Sequence, residues 1–344
     1  MDIVSSVKTG RYNLCPDVIF FATPPIDGVF QEYVAHEAAL CFKIPDNMDT
    51  MEAALIEPLA VGMHAARQGN AHLGQTAVVT GAGCIGLVSI MSLKAMGVTR
   101  IIAVDVQEKR LQKALELGAT DVINGKEKDT VKEIFRLTGG AGADLTIETA
   151  GTEITTRQAI NFAKPGSTIV LVGYSASGEE TLPMSLALDK ELTFKTVFRY
   201  RHIYPVAIEA VAAGSINVKG IVSNVWDFDD IENAMIQSVK DKANIVKSVI
   251  RLDNRNLQME RKYVIGLDYG TLSGRAIIAD CKDGTVLASA VKGYDHGVMS
   301  EYLPDGTELT GTGWALQNPK DYIDVLKYII PEAVAQSGVS SKIL

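Results

Sequence analysis

Four cysteines in 344 residues, at positions 15, 41, 84 and 281, are too few and too unevenly spaced for a disulfide framework, and none forms a Cys-x-x-Cys pair that would seat a metal. Thiols of this kind suit a reducing compartment, and the expected location is cytoplasmic. No Lys/Arg-rich block occurs and the formal net charge is −8, which argues against nucleic acid or an anionic membrane as the main partner. No apolar run approaches a membrane span, and Met1-Asp2-Ile3-Val4-Ser5-Ser6 lacks the basic start and apolar core of a signal peptide. With 47% apolar and 22% charged residues the composition is that of a globular protein, long enough for two domains and a further attached piece.

What is present is organised around Ala77-Val78-Val79-Thr80-Gly81-Ala82-Gly83-Cys84-Ile85-Gly86. The short, β-branched apolar run after the turn signal Leu73-Gly74-Gln75 predicts a buried strand leading through a glycine turn into a helix over 85–96. Gly81 would allow the tight turn, Gly83 would let a pyrophosphate approach the backbone, and Gly86 would let helix and sheet pack closely. The helix N-terminus then offers free N–H donors and a positive dipole end to phosphate. A second strand over 100–105 ends on Asp105, nineteen positions after Gly86. An acid there accepts hydrogen bonds from both ribose hydroxyls and repels a 2′-phosphate, so the expected cofactor is NAD rather than NADP. The plainer alternative is a glycine turn with an Asp that caps the helix starting near Gln107.

The same rhythm continues. Helices are expected over 108–117, closed by the C-cap Gly118, then over 130–137 and 154–162, with strands over 121–124, 144–148 and 167–173. This βαβ succession predicts a doubly wound parallel sheet with right-handed crossovers and ligand at the carboxyl ends of the strands. Before it, residues 10–34 are turn-rich with short extended runs, expected as part of a β domain. A helix over 50–68 contains Pro58, which should kink it by removing a hydrogen bond, and places Glu57 beside that point. After it, helices are expected over 203–213 and 230–239 and a strand over 244–251.

Several stretches in this order resemble the sorbitol/xylitol dehydrogenase branch of the zinc-dependent medium-chain alcohol dehydrogenase superfamily. They are residues 10–16, 21–25, 54–64 and 81–86, then Leu171-Val172-Gly173 and Val197-Phe198-Arg199-Tyr200. The resemblance runs from Gly10 to Leu252. It implies an NAD-dependent Rossmann enzyme that moves hydride from a secondary alcohol of a small polyol. Ile85, Asp105 and Arg110 would touch the cofactor, with Val172, Gly173, Tyr174, Val197 and Phe198 lining its nicotinamide side. Glu57, Arg199 and Tyr200 would face the polyol or an active-site water; solvated positions are the alternative. Relatives are commonly oligomeric, and the strand over 191–198 would be a candidate edge for pairing of homologous subunits.

The family polarises its alcohol with zinc, held by a Cys and a His-Glu pair from the first half of the catalytic domain. Those ligands are expected upstream of Gly10, so none is assigned here. His36-Glu37 lies after the Gly10–Cys15 landmark and is expected as surface, and Cys15 alone cannot hold a structural zinc. Residues 1–7 look like unrelated sequence joined to a family interior near Lys8. The expectation is therefore an N-terminally truncated dehydrogenase, able to bind NAD and impaired in oxidising polyols.

Residues 253–258 read as a polar linker. A strand, a small-residue hairpin turn and a returning strand over 263–280, a third strand over 285–291, the runs 296–299, 301–307 and 314–319, and a helix over 319–335 resemble the start of ribulokinase, a carbohydrate kinase with an actin-like ATPase fold. That resemblance places Asp268 near the magnesium of ATP. In this fragment an ordinary hairpin is expected instead, and kinase activity is not, because the base and nucleotide lobe would lie beyond Leu344. A gene rearrangement and an artificial join both produce such a sequence. The expected organisation is a remnant of the β-rich catalytic domain over 1–56, a Rossmann domain over 57–195 and the rest of the catalytic domain over 196–252. A linker over 253–262 and the kinase fragment over 263–344 complete it.

Overall fold

The computed structural model describes residues 9–31, 34–252, 263–270, 272–281, 283–308 and 316–339. The expectations placed on residues 1–8, on Glu32 and Tyr33, on the linker and kinase start over 253–262, and on Trp314 and Ala315 lie outside these. The chain forms two compact units, Met1–Asn254 and Arg255–Leu344.

In the first unit, helix α1 (Thr50–Gln68) starts in a capping box. The Asp49 side chain accepts from the Glu52 N–H, and the Glu52 carboxylate accepts from the Asp49 N–H. The helix runs through Pro58 as one element. It is followed by β1 (Thr76–Thr80), α2 (Cys84–Ala95), β2 (Arg100–Asp105), α3 (Glu108–Leu117), β3 (Asp121–Asn124), α4 (Thr130–Leu137) and β4 (Ala143–Glu148). Then come α5 (Glu153–Phe162), β5 (Ala163–Leu171), α6 (Met184–Asp189) and β6 (Thr193–Thr196). The six strands form one parallel sheet in the order β3-β2-β1-β4-β5-β6, so the chain reverses direction across the sheet between β1 and β4. Such a reversal opens a crevice at the strands' carboxyl ends.

Both faces of the sheet's centre are covered, which is why β1 and β2 read as near-continuous apolar runs. Successive side chains nevertheless go to opposite sides. Ala77 and Val79 of β1, with Ile101 and Ala103 of β2, join Leu55, Leu59 and Leu87 from α1 and α2 in one core. Val78, Ile102 and Val104 join Ile134 and Phe162 in the other. Gly62 lets α1 lie against α2, since a Cβ there would stand 2.7 Å from the Ser89 nitrogen.

Around this sheet the expected β domain does not appear. Among the described residues of 9–49 there is no strand, only 3-10 turns at Tyr12–Leu14 and Ala38–Leu40. The extended runs near Phe21 and Val34 find no neighbouring strand to take their N–H and C=O groups. Beyond β6 the chain continues through α7 (Tyr204–Ala212), β7 (Val222–Asp227), α8 (Ile231–Lys240) and β8 (Lys247–Arg251), with β7 and β8 paired in a two-stranded parallel sheet.

The second unit has an antiparallel meander, β9 (Tyr263–Tyr269), β10 (Ser273–Asp280) and β11 (Val286–Gly293), with β10 central. Helix α9 (Pro319–Ser337), capped by Asn318, lays Val325, Ile329 and Ala333 on Ala276, Ile278, Ala288 and Ala290. Val264, Leu267 and Val291 remain exposed. No helix among the described residues is long and apolar enough to cross a membrane.

Candidate functional site

The three glycines after β1 do different work. Gly81 has φ +87°, and a Cβ on Gly86 would lie 1.8 Å from the Gly81 carbonyl oxygen, so the fold itself demands both. Gly83 has an ordinary φ of −74°, and its nearest neighbour to a built Cβ is the Arg110 Nη1 at 4.0 Å. Nothing in the chain needs that space. It lies at the N-terminus of α2, whose N-cap Gly83 supplies no side chain to its amides. An opening bordered by free N–H groups and a positive dipole end fits a pyrophosphate.

Asp105 is buried at the end of β2. Its Oδ2 accepts from the Ala82 N–H at 2.7 Å, and its Oδ1 from Val106 and Gln107 at 2.7 and 2.9 Å. It therefore braces the glycine turn and the loop before α3. A carboxylate accepts about four hydrogen bonds, which leaves capacity for a ribose hydroxyl. Arg110 donates to the Lys242 carbonyl, and its buried Nε has no partner.

Glu148, which sequence reasoning passed over, ties the far side of the crevice together. At 1% exposure its carboxylate accepts from Ala150 and Gly151 N–H and from the Thr155 hydroxyl at 2.8 Å. Burial raises its pKa, and those three donors oppose the rise. Its carbonyl accepts from the Val172 and Gly173 amides at 2.9 and 3.1 Å, while a Cβ on Gly173 would strike the Gly151 nitrogen. Val172 and Gly173 are thus held at the mouth of β5, with Val197 buried beside them through its amide on the Leu171 carbonyl. Ile85 is half-buried, and Tyr174 is exposed just beyond the strand.

Glu57 and Tyr200 come together, and Arg199 goes elsewhere. The Tyr200 hydroxyl acts on the Glu57 carboxylate and lies 3.1 Å, oxygen to oxygen, from the Tyr204 hydroxyl. Lost hydration raises the Glu57 pKa, and the Lys247 ammonium and the Tyr200 hydroxyl pull it down. Lys247 also acts on the Cys84 thiol, which burial pushes up. Its charge is thus felt at both the carboxylate and the start of α2, from a cation with no local sequence signal, 190 positions from Glu57. Arg199, with φ +57°, stacks its guanidinium on Phe20 at 4.1 Å and Phe198 at 4.8 Å, and leaves its buried Nη1 unpaired. Its expected place facing a polyol is thus taken by aromatic rings. Phe198 also lines a second cavity with His64 and Arg201.

Among the described residues no three His, Cys, Asp or Glu side chains converge to hold a metal. The His36 ring packs on Phe21 at 4.7 Å and the Cys41 thiol lies 3.6 Å from the Glu37 carbonyl. These residues do not fit a zinc site.

Residues 84–213 match the family model described as zinc-binding dehydrogenase. The chain is 44% identical over 246 residues to an uncharacterized zinc-type alcohol dehydrogenase-like protein of Escherichia coli strain K12, covering 71% of this chain and 70% of that protein. It is 37% identical to the sorbitol dehydrogenase of Bacillus subtilis strain 168 over 71% of this chain and 69% of the enzyme. Among solved structures, an Escherichia coli oxidoreductase of unknown specificity superposes with a TM-score of 0.70 at 42% identity, over 72% of each chain. A dehydrogenase of Escherichia coli CFT073 complexed with NADH superposes at 0.68 with 27% identity over 72% of each chain. A zinc-binding dehydrogenase of Sinorhizobium meliloti bound to NADP gives 0.67 at 28%, over the same shares. Matching relatives over about seven-tenths of its length and carrying their parallel sheet, this chain belongs to the family of zinc-type alcohol dehydrogenases that includes the sorbitol dehydrogenases.

Proposed function

We propose that residues 10–252 bind NAD at the glycine turn and that this region descends from a polyol dehydrogenase of the sorbitol/xylitol type. The observation that carries the reading is the unfilled space over Gly83, with Asp105 braced beside it and no room for a Cβ at Gly81 or Gly86. Gly81, Gly83, Ile85 and Gly86 would take the pyrophosphate, Asp105 the adenosine ribose and Arg110 the adenosine side. Val172, Gly173, Tyr174, Val197 and Phe198 would border the nicotinamide. Lys247 would offset the charge of the phosphates. Bound NAD supplies a hydride acceptor for the carbon of a secondary alcohol. Glu57, within the influence of the Tyr200 hydroxyl, would hold the alcohol's proton or an active-site water, and Arg199 would border the substrate only after leaving its aromatic stack.

Turnover of a polyol is proposed to be weak, because the described residues assemble no ligand set for the zinc that lowers an alcohol's pKa in this family. The second reading follows from the same observation: a non-catalytic NAD-binding module. We also propose that residues 263–344 derive from the start of a ribulokinase, a reading supported by the three-stranded meander with one following helix. On that reading Asp268, exposed on β9, does no phosphoryl chemistry. β6, the sheet's edge strand, is the proposed site of self-association, and the cytoplasm the proposed location.

The test is NAD reduction by sorbitol and by xylitol, with zinc content determined on the same sample. Negligible rates beside NAD binding fit the reading. Zinc-dependent oxidation at a rate ordinary for an alcohol dehydrogenase overturns the impairment, and loss of NAD binding overturns the whole.

A further inference from the structure

The last turns of α1 and the edge strand β6 border a cavity of about 330 Å³, in whose wall Phe198 alone carries a role in the dehydrogenase reading. Three cations line it, Arg11, Lys195 and Arg201, with the amide side chains of Asn13 and Gln68, and no carboxylate is in its wall. His64 completes the lining at 1% exposure. The His64 Nδ1 lies 3.3 Å from the Arg67 Nη2. A guanidinium only donates, so Nδ1 accepts and Nε2 carries the hydrogen. That buried Nε2 has no partner, a costly state for an interior donor. Arg67, which donates to the carbonyls of Arg201 and His202, has no acceptor to offer it.

We infer that this cavity binds a small organic anion of the phosphate monoester class. Arg11, Lys195 and Arg201 would offset its two charges, His64 would donate its buried Nε2–H, and Asn13 and Gln68 would meet hydroxyls. Three cations suit a dianion better than a single carboxylate. The volume exceeds that of a bare ion and matches the lower range of small-molecule pockets, roughly 300 Å³. The C-terminal dipole of α1 opposes an anion by roughly half an elementary charge, which three full cations outweigh. The site is separate from the Glu57 cluster, since His64 lies two helical turns further along α1, about 10 Å.

The full chain is titrated with glycerol 3-phosphate, inorganic phosphate and acetate at fixed ionic strength, by calorimetry and by the imidazole NMR signal of His64. Saturable binding is expected in the order monoester, phosphate, acetate. The His64 pKa, held at about 4 by burial and by Arg67 and Arg201, should climb as the anion binds. Arg11→Gln and Arg201→Gln should each weaken binding about tenfold, and Lys195→Gln, on the exposed edge of β6 where folding is not at stake, should do the same in direction. Lys109→Gln, on the outer face of α3, should change nothing. Absence of saturable binding, indifference to the Arg11, Lys195 and Arg201 changes, an unmoved His64, or acetate binding as well as the monoester would overturn the inference.

Discussion

In the parallel-sheet region the apolar side chains vanish from solvent, with Leu59, Val78 and Leu87 fully buried, whereas over residues 9–49 Ile19 is 75% exposed and Phe30 is 50% exposed. The two regions are held by different forces. The sheet carries two apolar cores. The described residues of 9–49 give those cores only Met48 and are otherwise tethered largely by side-chain hydrogen bonds: the buried Asn13 to the Phe198 carbonyl at 2.8 Å, the His202 N–H to the Tyr12 hydroxyl at 2.7 Å, and Asn47 to the Ala212 carbonyl at 2.9 Å. A net hydrogen bond contributes about 1 kcal/mol, against about 2 kcal/mol for each buried large aliphatic side chain. The sheet region should therefore unfold with the whole molecule, and residues 9–49 should open locally well before it.

The sharpest way to break this contrast is Gly86→Ala. Its Cβ would meet the Gly81 oxygen at 1.8 Å, and a loss of at least about 3 kcal/mol is expected in urea unfolding. A loss below about 1 kcal/mol would mean that the turn gives way. Next comes His64. Its folded pKa, about 4, lies below an ordinary 6.5, so the unfolded chain binds the extra proton between those values. Stability should be full above about pH 6.5 and fall by up to about 3 kcal/mol as pH drops toward 4. His64→Gln should flatten that limb, and an unchanged limb would assign it to other groups. Glu148 has the opposite sign: its raised pKa makes stability decline as pH rises through the acidic range.

Gly83→Ala should leave stability unchanged or raise it by up to about 1 kcal/mol, while weakening NAD binding about tenfold or more, since its Cβ would occupy the phosphate's approach. Equal NAD affinity would put the cofactor elsewhere. The smallest effect is expected from Phe30→Ser, within about 0.5 kcal/mol. A loss of about 2 kcal/mol there would show that residues 9–49 carry a core of their own.

Legibility in the sequence follows the same division. The strand over 100–105, the helices over 108–117 and 130–137 and the strand over 121–124 are found with those bounds, because apolar period, caps and Gly118 all act locally. The strand expected over 191–198 stops at Thr196, where the chain turns toward the positive φ of Arg199. Extended runs before residue 50 read as strands, but a strand is completed only by a neighbour that local sequence does not supply. At the site, Gly81, Gly86 and Asp105 are legible from spacing. Glu57 and Tyr200 needed the family resemblance. Glu148, Lys247 and His64 have roles set by residues distant in sequence or by burial, which spacing does not reveal.

The most direct test is calorimetric titration of the full chain with NAD⁺ and with NADP⁺. Micromolar NAD⁺ binding is expected, with NADP⁺ weaker by about tenfold or more, since the Asp105 carboxylate would face a 2′-phosphate. Equal affinity would remove Asp105 from the ribose, and no binding of either would contradict the central claim that the turn after β1 is a dinucleotide site.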